Sequence, residues 1–232
     1  MSETTTLTYE QAIDAGTREL DYPDQSHATA IACRALDIAI ATVALVLLSP
    51  LLLLVALWIR LDSNGPALFR QERRGRNMEP FVVNKFRTMH LNAPNDEHVA
   101  YVQSLIAGDA ERKEKLFKLV ADERVTRAGR TLRKTSLDEL PQLINVLLGN
   151  MSLVGPRPCL DYELVKYPPH AFGRFAVKPG ITGLWQVSGR SQLGFDEMIA
   201  LDIEYAQRPS FWFNVRILLR TVPVALLGRG AA

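Results

Sequence analysis

The sequence predicts an α+β protein that is mostly helical. Three observations support this fold class: residues 38–59 form an uncharged apolar run, residues 67–86 alternate in polarity around a basic turn, and residues 137–148 repeat apolar side chains at helical spacing. We therefore expect a membrane helix first, then a small antiparallel β-hairpin, then a helical domain that carries amphipathic helices on its surface. No internal repeat is present.

The charge of the chain is unevenly distributed. Residues 1–30 contain six acidic side chains and one arginine, whereas the remaining residues contain 26 basic and 19 acidic side chains. We expect residues 1–30 to form a mobile acidic tail, residues 31–62 the membrane element and residues 63–232 one further domain. The basic remainder suits anionic lipids and diphosphates, although a solvated face without function has the same composition. The small net charge of +2 gives no indication of nucleic-acid binding.

Cysteine and histidine usage predicts no zinc site. Cys33 and Cys159 lack metal-ligand spacing, and the four histidines are scattered. We expect both cysteines to be free thiols because nothing in the sequence indicates secretion.

The uncharged run of 22 residues is long enough to cross a bilayer, but Ser49-Pro50 lies at its middle. Pro50 removes a helix hydrogen bond and kinks the axis, while the Ser49 hydroxyl can bond a freed carbonyl. Each limb then spans roughly 15 Å, about half of a ~30 Å hydrocarbon core. A hairpin that returns to the same leaflet and a kinked spanning helix both fit this pattern, and the length disfavours a buried core helix.

The next segments predict a β-hairpin and a helical insertion. Residues 67–71 and 81–86 have strand alternation, with a basic turn at residues 73–77 between them. The second strand runs into Lys85-Phe-Arg87-Thr-Met, whose alternating charges are also typical of the solvated face of a hairpin. Residues 95–121 are charged and helical in pattern, with Gly108 as a break, and we assign no chemistry to them.

Residues 137–148 predict a helix that starts close to Asp138. Pro141 lacks an N–H and belongs in the first turn, and Gly149 is a C-terminal stop. The expected apolar stripe consists of Leu140, Ile144, Leu147 and Leu148.

Two adjacent carboxylates, Asp138 and Glu139, therefore lie at the start of a helix, where the helix dipole favours their ionised form. An ionised Asp can act as a nucleophile, and a neighbouring Glu can hold Mg²⁺ together with substrate phosphates. The alternative is a capping box formed by Ser136 and Glu139. Pro141 weakens that alternative because it would fall past the first turn of such a helix.

A stiff turn, Gly155-Pro156-Arg157-Pro158, follows the helix. The two prolines fix φ on either side of Arg157, so the turn aims the guanidinium at low entropic cost. A structural turn with a solvated arginine is the alternative.

The run D-E-L-P-Q-L-I-N-V-L-L-G-N-M-S-L-V-G-P-R-P, residues 138–158, resembles the bacterial sugar transferase family. These monotopic phosphoglycosyl transferases move a sugar 1-phosphate from a nucleotide sugar onto a polyprenyl phosphate. The resemblance extends from about Arg34 to the C-terminus. It implies a re-entrant membrane helix broken at Ser49-Pro50, with Asp138 as the nucleophile and Glu139 as the metal ligand, both acids serving the Mg²⁺ site.

The same resemblance implies a set of substrate-binding residues. Two of them are phosphate ligands on the second strand, one precedes the acids by five positions, one follows them on the helix, and two belong to the proline-flanked turn: Lys85, Arg87, Arg133, Gln142, Arg157 and Pro158. For Arg133, a surface cation near the acids is the alternative.

The C-terminal extension, residues 178–232, resembles the branch that primes exopolysaccharide or O-antigen assembly, usually from UDP-glucose or UDP-galactose. Within it, Trp185 is either a stacking platform or a core residue, and residues 211–227 form either a membrane-surface helix or a core helix. The chain departs from the family pattern at Asn150, at Asn214 and at Arg208-Pro209, and none of these positions belongs to the Asp138-Glu139 pair.

The resemblance implies the following function. A hexose 1-phosphate passes from a UDP-sugar to undecaprenyl phosphate through a covalent phosphosugar-aspartate, with release of UMP. The expected location is the cytoplasmic face of the bacterial inner membrane, in one leaflet, and a homodimer is compatible with the sequence. Single-step transfer without a covalent intermediate and a non-catalytic membrane scaffold are the alternatives.

Overall fold

The computed structural model describes residues 26–91, 96–106, 122–189 and 193–226. The predicted acidic tail before Ser26 and the second part of the predicted insertion, residues 107–121, lie outside the described residues.

Helix α1 (His27–Asp62) begins after Ser26, whose hydroxyl accepts a hydrogen bond from the Thr29 amide. It runs as one helix through Pro50. Because proline has no N–H, the carbonyl of Val46 loses its usual partner. The Ser49 hydroxyl donates to that carbonyl at 2.8 Å, so the predicted role of this hydroxyl is confirmed.

Helix α1 is apolar and largely exposed. Its buried side chains lie near its two ends, whereas the middle exposes large aliphatic residues such as Leu47 and Leu53, at 73% and 72%. This exposure excludes the core-helix alternative. By length and composition, α1 qualifies to cross a membrane, and it is the one such helix in the described part of the chain.

Strands β1 (Leu68–Arg74) and β2 (Pro80–Phe86) pair antiparallel, which confirms the predicted hairpin. Both strands extend closer to the turn than the alternation predicted, because pairing continues to Arg74 opposite Pro80. A 3₁₀ turn (Arg76–Met78) connects them, and Asn77 adopts φ 53°, a left-handed conformation that asparagine tolerates well.

Helix α2 (Asp96–Ile106) is the described part of the predicted insertion, so its helical character is confirmed there. Val102 and Ile106 are buried in a core cluster with Leu164, Tyr167 and Phe172.

The predicted helix over residues 137–148 is divided in the structure. Helix α3 (Arg127–Thr135) ends at Ser136, a 3₁₀ turn (Leu137–Glu139) follows, and helix α4 (Gln142–Leu148) begins after Pro141. Gly149 ends α4 with φ 88°, as predicted.

The predicted apolar stripe of α4 is confirmed in part: Leu140 and Leu147 pack against a core cluster, but the prediction was wrong for the other two residues. Leu143 and Val146 are buried, whereas Ile144 and Leu148 are 40% and 69% exposed. The physical reason is that α4 packs against α1 and β2 through the face that also carries Asn145.

The C-terminal half contains short elements around two core clusters. Strand β3 (Ser152–Val154) pairs parallel with β4 (Gly180–Thr182). Helices α5 (Asp161–Leu164), α6 (Leu184–Ser188), α7 (Phe195–Gln207) and α8 (Phe211–Leu226) and a 3₁₀ helix (Pro169–Ala176) surround this pair.

Three predictions about side chains are resolved here. Trp185 is buried in the core, which excludes the stacking alternative. Helix α8 buries Ile217 and exposes Trp212, so it is amphipathic. Cys33 and Cys159 are both free and buried, as expected.

Candidate active site

Asp138 and Glu139 lie on the 3₁₀ turn that joins α3 to α4. Ser136 precedes them in a left-handed conformation, φ 58°, and its side chain makes no capping hydrogen bond. The capping box that was the alternative to a functional pair therefore does not form. Both side chains are half-buried, so they are accessible to a ligand.

The helix after the acids is fixed to the strand that carries Lys85. The Asn145 side-chain oxygen accepts hydrogen bonds from the amide and the side chain of Asn84, both at 3.0 Å, and its nitrogen donates to the Val82 carbonyl at 2.6 Å. These three bonds set the position of β2 relative to the start of α4.

Lys85 lies in the electrostatic field of both acids. Burial and the neighbouring Arg73 lower the pKa of Lys85 to about 8, while Glu139 and Asp138 act in the opposite direction. The structure therefore brings Lys85 and the two carboxylates together, as the resemblance implied.

Arg157 projects from a turn in which three successive carbonyls, those of residues 156–158, accept hydrogen bonds. The Arg174 guanidinium donates to the Arg157 carbonyl at 2.8 Å, and Arg73 donates to the carbonyl of Pro158 at 2.7 Å. On the other side of Arg157, the carbonyl of Pro156 accepts a hydrogen bond from the amide of Gly180. The backbone of Arg157 is thus held by neighbours as well as by its prolines, and its side chain is half-buried.

The hydrogen bonds that hold this turn connect it to the C-terminal extension through Arg174. Arg174 also pairs with Asp202 of α7 at 2.7 Å and donates to the Tyr167 hydroxyl at 2.7 Å. Burial raises the pKa of Asp202 to about 6, although the adjacent Arg174 cation opposes that rise. The extension therefore contributes to the position of Arg157 through the contact between Asp202 and Arg174.

Arg133 joins the same cluster. Its Nε donates to the Thr88 hydroxyl at 3.1 Å. Burial lowers the pKa of Arg133, while the carboxylates of Asp138 and Asp122 counteract that effect. The structure thus places Arg133 beside the proposed nucleophile.

Arg73 is a member of the cluster that the sequence did not single out. It is buried on β1, and burial and the neighbouring Arg157 lower the pKa of its guanidinium. Strand alternation could have identified Arg73. It pairs with Phe81, which lies on the same face of β2 as Lys85, so Arg73 also lies on that face of the hairpin. Its place within a basic run hid that signal, because the run was assigned to the turn.

Arg87 is not brought to the cluster. Its guanidinium donates to the carbonyls of Ser63 at 2.7 Å, of Ile59 at 3.4 Å and of Asn64. It therefore caps the C-terminal end of α1, and this placement argues against the predicted role as a phosphate ligand. Gln142 is the buried first residue of α4, and Pro158 contributes its carbonyl to Arg73.

The cluster is electropositive around the two acids. Arg157 interacts unfavourably with each of the other three cations, Arg73, Lys85 and Arg133. A bound diphosphate would relieve this repulsion, since arginine forks bind phosphate oxygens in bidentate fashion and lysine adds a point charge.

The acids fit a magnesium site of the kind that a substrate completes. The described residues contain no group of three potential metal-ligating His, Cys, Asp or Glu side chains. Mg²⁺ commonly uses one or two carboxylates together with substrate phosphates, which matches Asp138 and Glu139. The surrounding cations disfavour a bare metal ion, so binding together with a diphosphate suits this donor set.

Known proteins are similar to this sequence over most of its length. The family model for bacterial sugar transferases matches residues 28–228. The UDP-glucose:undecaprenyl-phosphate glucose-1-phosphate transferase of Caulobacter vibrioides is 45% identical over 202 residues, which cover 83% of this chain and 69% of that protein. The exopolysaccharide production protein ExoY of Rhizobium meliloti is 39% identical over 201 residues, 87% of this chain and 88% of that protein.

Other relatives are longer. The undecaprenyl-phosphate galactose phosphotransferase of Salmonella typhimurium is 41% identical over 202 residues, and this chain covers 41% of its length. The chain spans a similar share, 43%, of the galactosyl transferase CpsE of Streptococcus agalactiae. The extent of the family match, together with the shared identity across these relatives, shows that the chain belongs to the bacterial sugar transferase family.

Proposed function

We propose that this protein transfers a hexose 1-phosphate from a UDP-sugar to undecaprenyl phosphate and releases UMP. The observation that carries the proposal is the convergence of Lys85, Arg133 and Arg157 on the Asp138-Glu139 pair. Two relatives are named for undecaprenyl phosphate together with glucose or galactose, which supports these substrates and leaves glucose and galactose as the candidate sugars.

In the first step, Arg157, Arg73 and Lys85 hold the diphosphate, and Arg133 lies beside Asp138. A carboxylate oxygen of Asp138 attacks the sugar-proximal phosphorus. The bond from that phosphorus to the bridging oxygen breaks, and UMP leaves with the electron pair. When bound by Glu139 and Asp138, Mg²⁺ supplies charge neutralisation at the phosphate oxygens.

In the second step, a phosphate oxygen of the polyprenyl phosphate attacks the same phosphorus. The bond between phosphorus and the Asp138 oxygen breaks and restores the carboxylate. Catalysis consists mainly of positioning and charge stabilisation, so the hydrogen bonds that fix Arg157 and Lys85 contribute directly to the rate.

We further propose that α1 re-enters one leaflet at the cytoplasmic face, where nucleotide sugars occur. Two sets of contacts support this placement, because they join both ends of α1 to the same folded body. Near its start, Arg34 donates to the carbonyls of Val146 and Leu147 at 2.5 and 2.8 Å. At its end, Asp62 accepts from the amide of Ala128 at 3.0 Å.

A straight helix would separate those two ends across the membrane. The 22 uncharged residues span roughly 33 Å when straight, about the full hydrocarbon thickness. Helices commonly kink at proline. A bend at Pro50 would let the apolar middle of α1 lie in the membrane while both of its ends stay bound to the folded body on one side.

The reaction is tested by UMP release from membranes given a panel of UDP-sugars. Asp138→Asn is expected to abolish release and to prevent formation of a phosphosugar adduct that mass spectrometry maps to Asp138 in the wild type. Asp161→Asn, which removes a partly exposed carboxylate paired with Arg74, is the matched control. Near-normal turnover by Asp138→Asn would exclude Asp138 as the nucleophile.

Single-step transfer and the scaffold alternative give different results. Direct transfer predicts sequential rather than ping-pong bisubstrate kinetics and no adduct. A scaffold predicts a lower melting temperature for Asp138→Asn, with no specific loss of turnover. The missing capping bond at Ser136 disfavours the scaffold.

A further inference from the structure

A second cationic site lies away from the acids, where α1 begins. A cavity of about 810 Å³ separates the first turns of α1 from the C-terminal half of the chain. Arg34, Asp37, Arg76 and Lys178 line its polar part, and Ile31 and Ile38 of α1 line its apolar part.

In the described part of the chain, the lining of this cavity contains three cations, Arg34, Arg76 and Lys178, and one carboxylate, Asp37. A Cβ atom placed on Gly149 would lie 3.6 Å from the Arg34 guanidinium and 3.9 Å from the Lys178 ammonium, so the two groups approach the same point. Burial lowers the pKa of Lys178, as do the neighbouring cations Arg34 and Arg76, with Asp37 opposing them.

Among the described residues, neither Lys178 nor Arg76 has a direct ion-pair partner. The Lys178 ammonium is half-buried and makes no hydrogen bond or ion pair with any residue that the structure describes. Asp37, the carboxylate of the cavity, instead accepts hydrogen bonds from the Leu153 amide and the Ser152 hydroxyl. A strand amide and a hydroxyl therefore hold the negative charge of the cavity.

The position of the cavity selects a lipid as its ligand. Arg34 and Asp37 are the last charged residues before the uncharged run, so the cavity lies at headgroup level if α1 enters the membrane as proposed above. Ile31 and Ile38 are 70% and 43% exposed along the same side of the helix, which offers an apolar path for an acyl chain.

This cavity is separate from the reaction centre. Arg34 binds the last carbonyls of α4, whereas Asp138 and Glu139 precede its first residue. The seven residues of α4 alone span roughly 10 Å, and a reacting phosphate must lie within about 3.5 Å of its nucleophile. A phosphate held here is not the one that reacts at Asp138.

We propose that this cavity binds the phosphate of an anionic phospholipid, with Lys178 and Arg76 as its charged ligands and the Ile31–Ile38 side of α1 against its acyl chain. The inference rests on the membrane placement proposed for α1. It assigns to the Lys178 segment a role in anchoring the protein to anionic membranes.

The test is a titration of the full chain in uncharged detergent with dioleoylphosphatidylglycerol or dioleoylphosphatidylcholine, followed by native mass spectrometry. The wild type is expected to retain one phosphatidylglycerol in preference to phosphatidylcholine. Lys178→Gln is expected to weaken that binding about tenfold, the usual scale for one charge-assisted hydrogen bond. Lys166→Gln removes an equivalent charge at an exposed site and is expected to bind normally.

Arg76→Gln is the second variant, because Arg76 is exposed on the hairpin turn and its substitution does not disturb the core. Unchanged phosphatidylglycerol binding in both Lys178→Gln and Arg76→Gln would overturn the proposal. Equal binding of inorganic phosphate would assign the cavity to a soluble anion, and binding of undecaprenyl phosphate in place of phosphatidylglycerol would assign it to the acceptor. Each of these outcomes also overturns the proposal that the cavity binds a phospholipid.

The acidic N-terminal segment is the remaining competitor for the cavity. If lipid binding appears only after Glu19, Asp21 and Asp24 are replaced by their amides, that segment is the occupant and the proposal fails. The titration contains no nucleotide sugar, so its result is independent of the reaction assigned to Asp138.

Discussion

The lowered pKa of Lys85 predicts how activity depends on pH. Lys85 is cationic below its pKa of about 8 and neutral above it, because burial and Arg73 disfavour its charged form. If the ammonium helps to bind the sugar diphosphate, its loss weakens capture of the substrate. We therefore expect kcat/KM for the UDP-sugar to fall as pH rises through about 8.

The size of the effect follows from the fraction of protonated lysine. With a pKa of about 8, roughly nine tenths of Lys85 is protonated at pH 7 and roughly one tenth at pH 9. Because kcat/KM reports groups of the free enzyme, it should decline about tenfold for each pH unit above 8. Bound diphosphate stabilises the ammonium, so kcat at saturating substrate should decline at higher pH.

The assay compares the wild type with Lys85→Arg between pH 7 and 9.5. Arginine stays charged throughout, so the variant should show a lower but flatter profile. The ratio of the two profiles cancels the titration of the uracil base and of the buffer components. A constant ratio across this range would refute the argument that the charge of Lys85 controls substrate capture.

Three further substitutions have defined outcomes. Asn145→Ala removes three hydrogen bonds between α4 and β2 and should lower the free energy of unfolding by about 2–4 kcal/mol in urea titrations, whereas the exposed Asn150→Ala should change it little. Asp202→Asn breaks a buried ion pair, and it should lower the melting temperature and raise KM for the nucleotide sugar more than it lowers kcat. Arg34→Gln loses two bonds to helix carbonyls and should reduce stability by about 1–3 kcal/mol, and an equal loss in the exposed Arg60→Gln would contradict this cause.

Features set by short-range chemistry were predictable from the sequence. Strand alternation predicted the β-hairpin, and proline and glycine positions predicted the stop at Gly149 and the stiff turn around Arg157. The bond from the Ser49 hydroxyl to a freed carbonyl followed from the missing N–H of Pro50. Each of these depends on a few neighbouring residues, and no distant packing partner is needed to decide it.

The face and the start of α4 were not predictable in the same way. Periodicity predicted burial of Ile144 and Leu148, yet the buried face contains Leu143, Val146 and Asn145. A helix beside a membrane element has two apolar environments available to it, the protein core and the lipid. Hydrophobic periodicity does not distinguish between them.

The roles of the individual arginines also depend on tertiary structure. Arg73 and Arg87 both lie in alternating charged segments of the hairpin, but Arg73 lies beside Arg157 and binds the carbonyl of Pro158, while Arg87 binds the carbonyls that end α1. The alternation of side chains along a strand indicates which face of the hairpin a side chain occupies. It does not indicate what the rest of the chain places against that face.

The contacts among three elements show how the candidate active site is held relative to α1. Arg34 ties α1 to the end of α4, Asn145 ties α4 to β2, and Arg87 ties β2 back to the end of α1. These contacts connect the three elements in a closed circuit, so movement of α4 or β2 is coupled to α1. Asp138 and Glu139 directly precede α4, and Lys85 lies on β2. With α1 in one leaflet as proposed, a lipid phosphate at a depth set by α1 meets two acids and a lysine whose height above the membrane is set by the same helix.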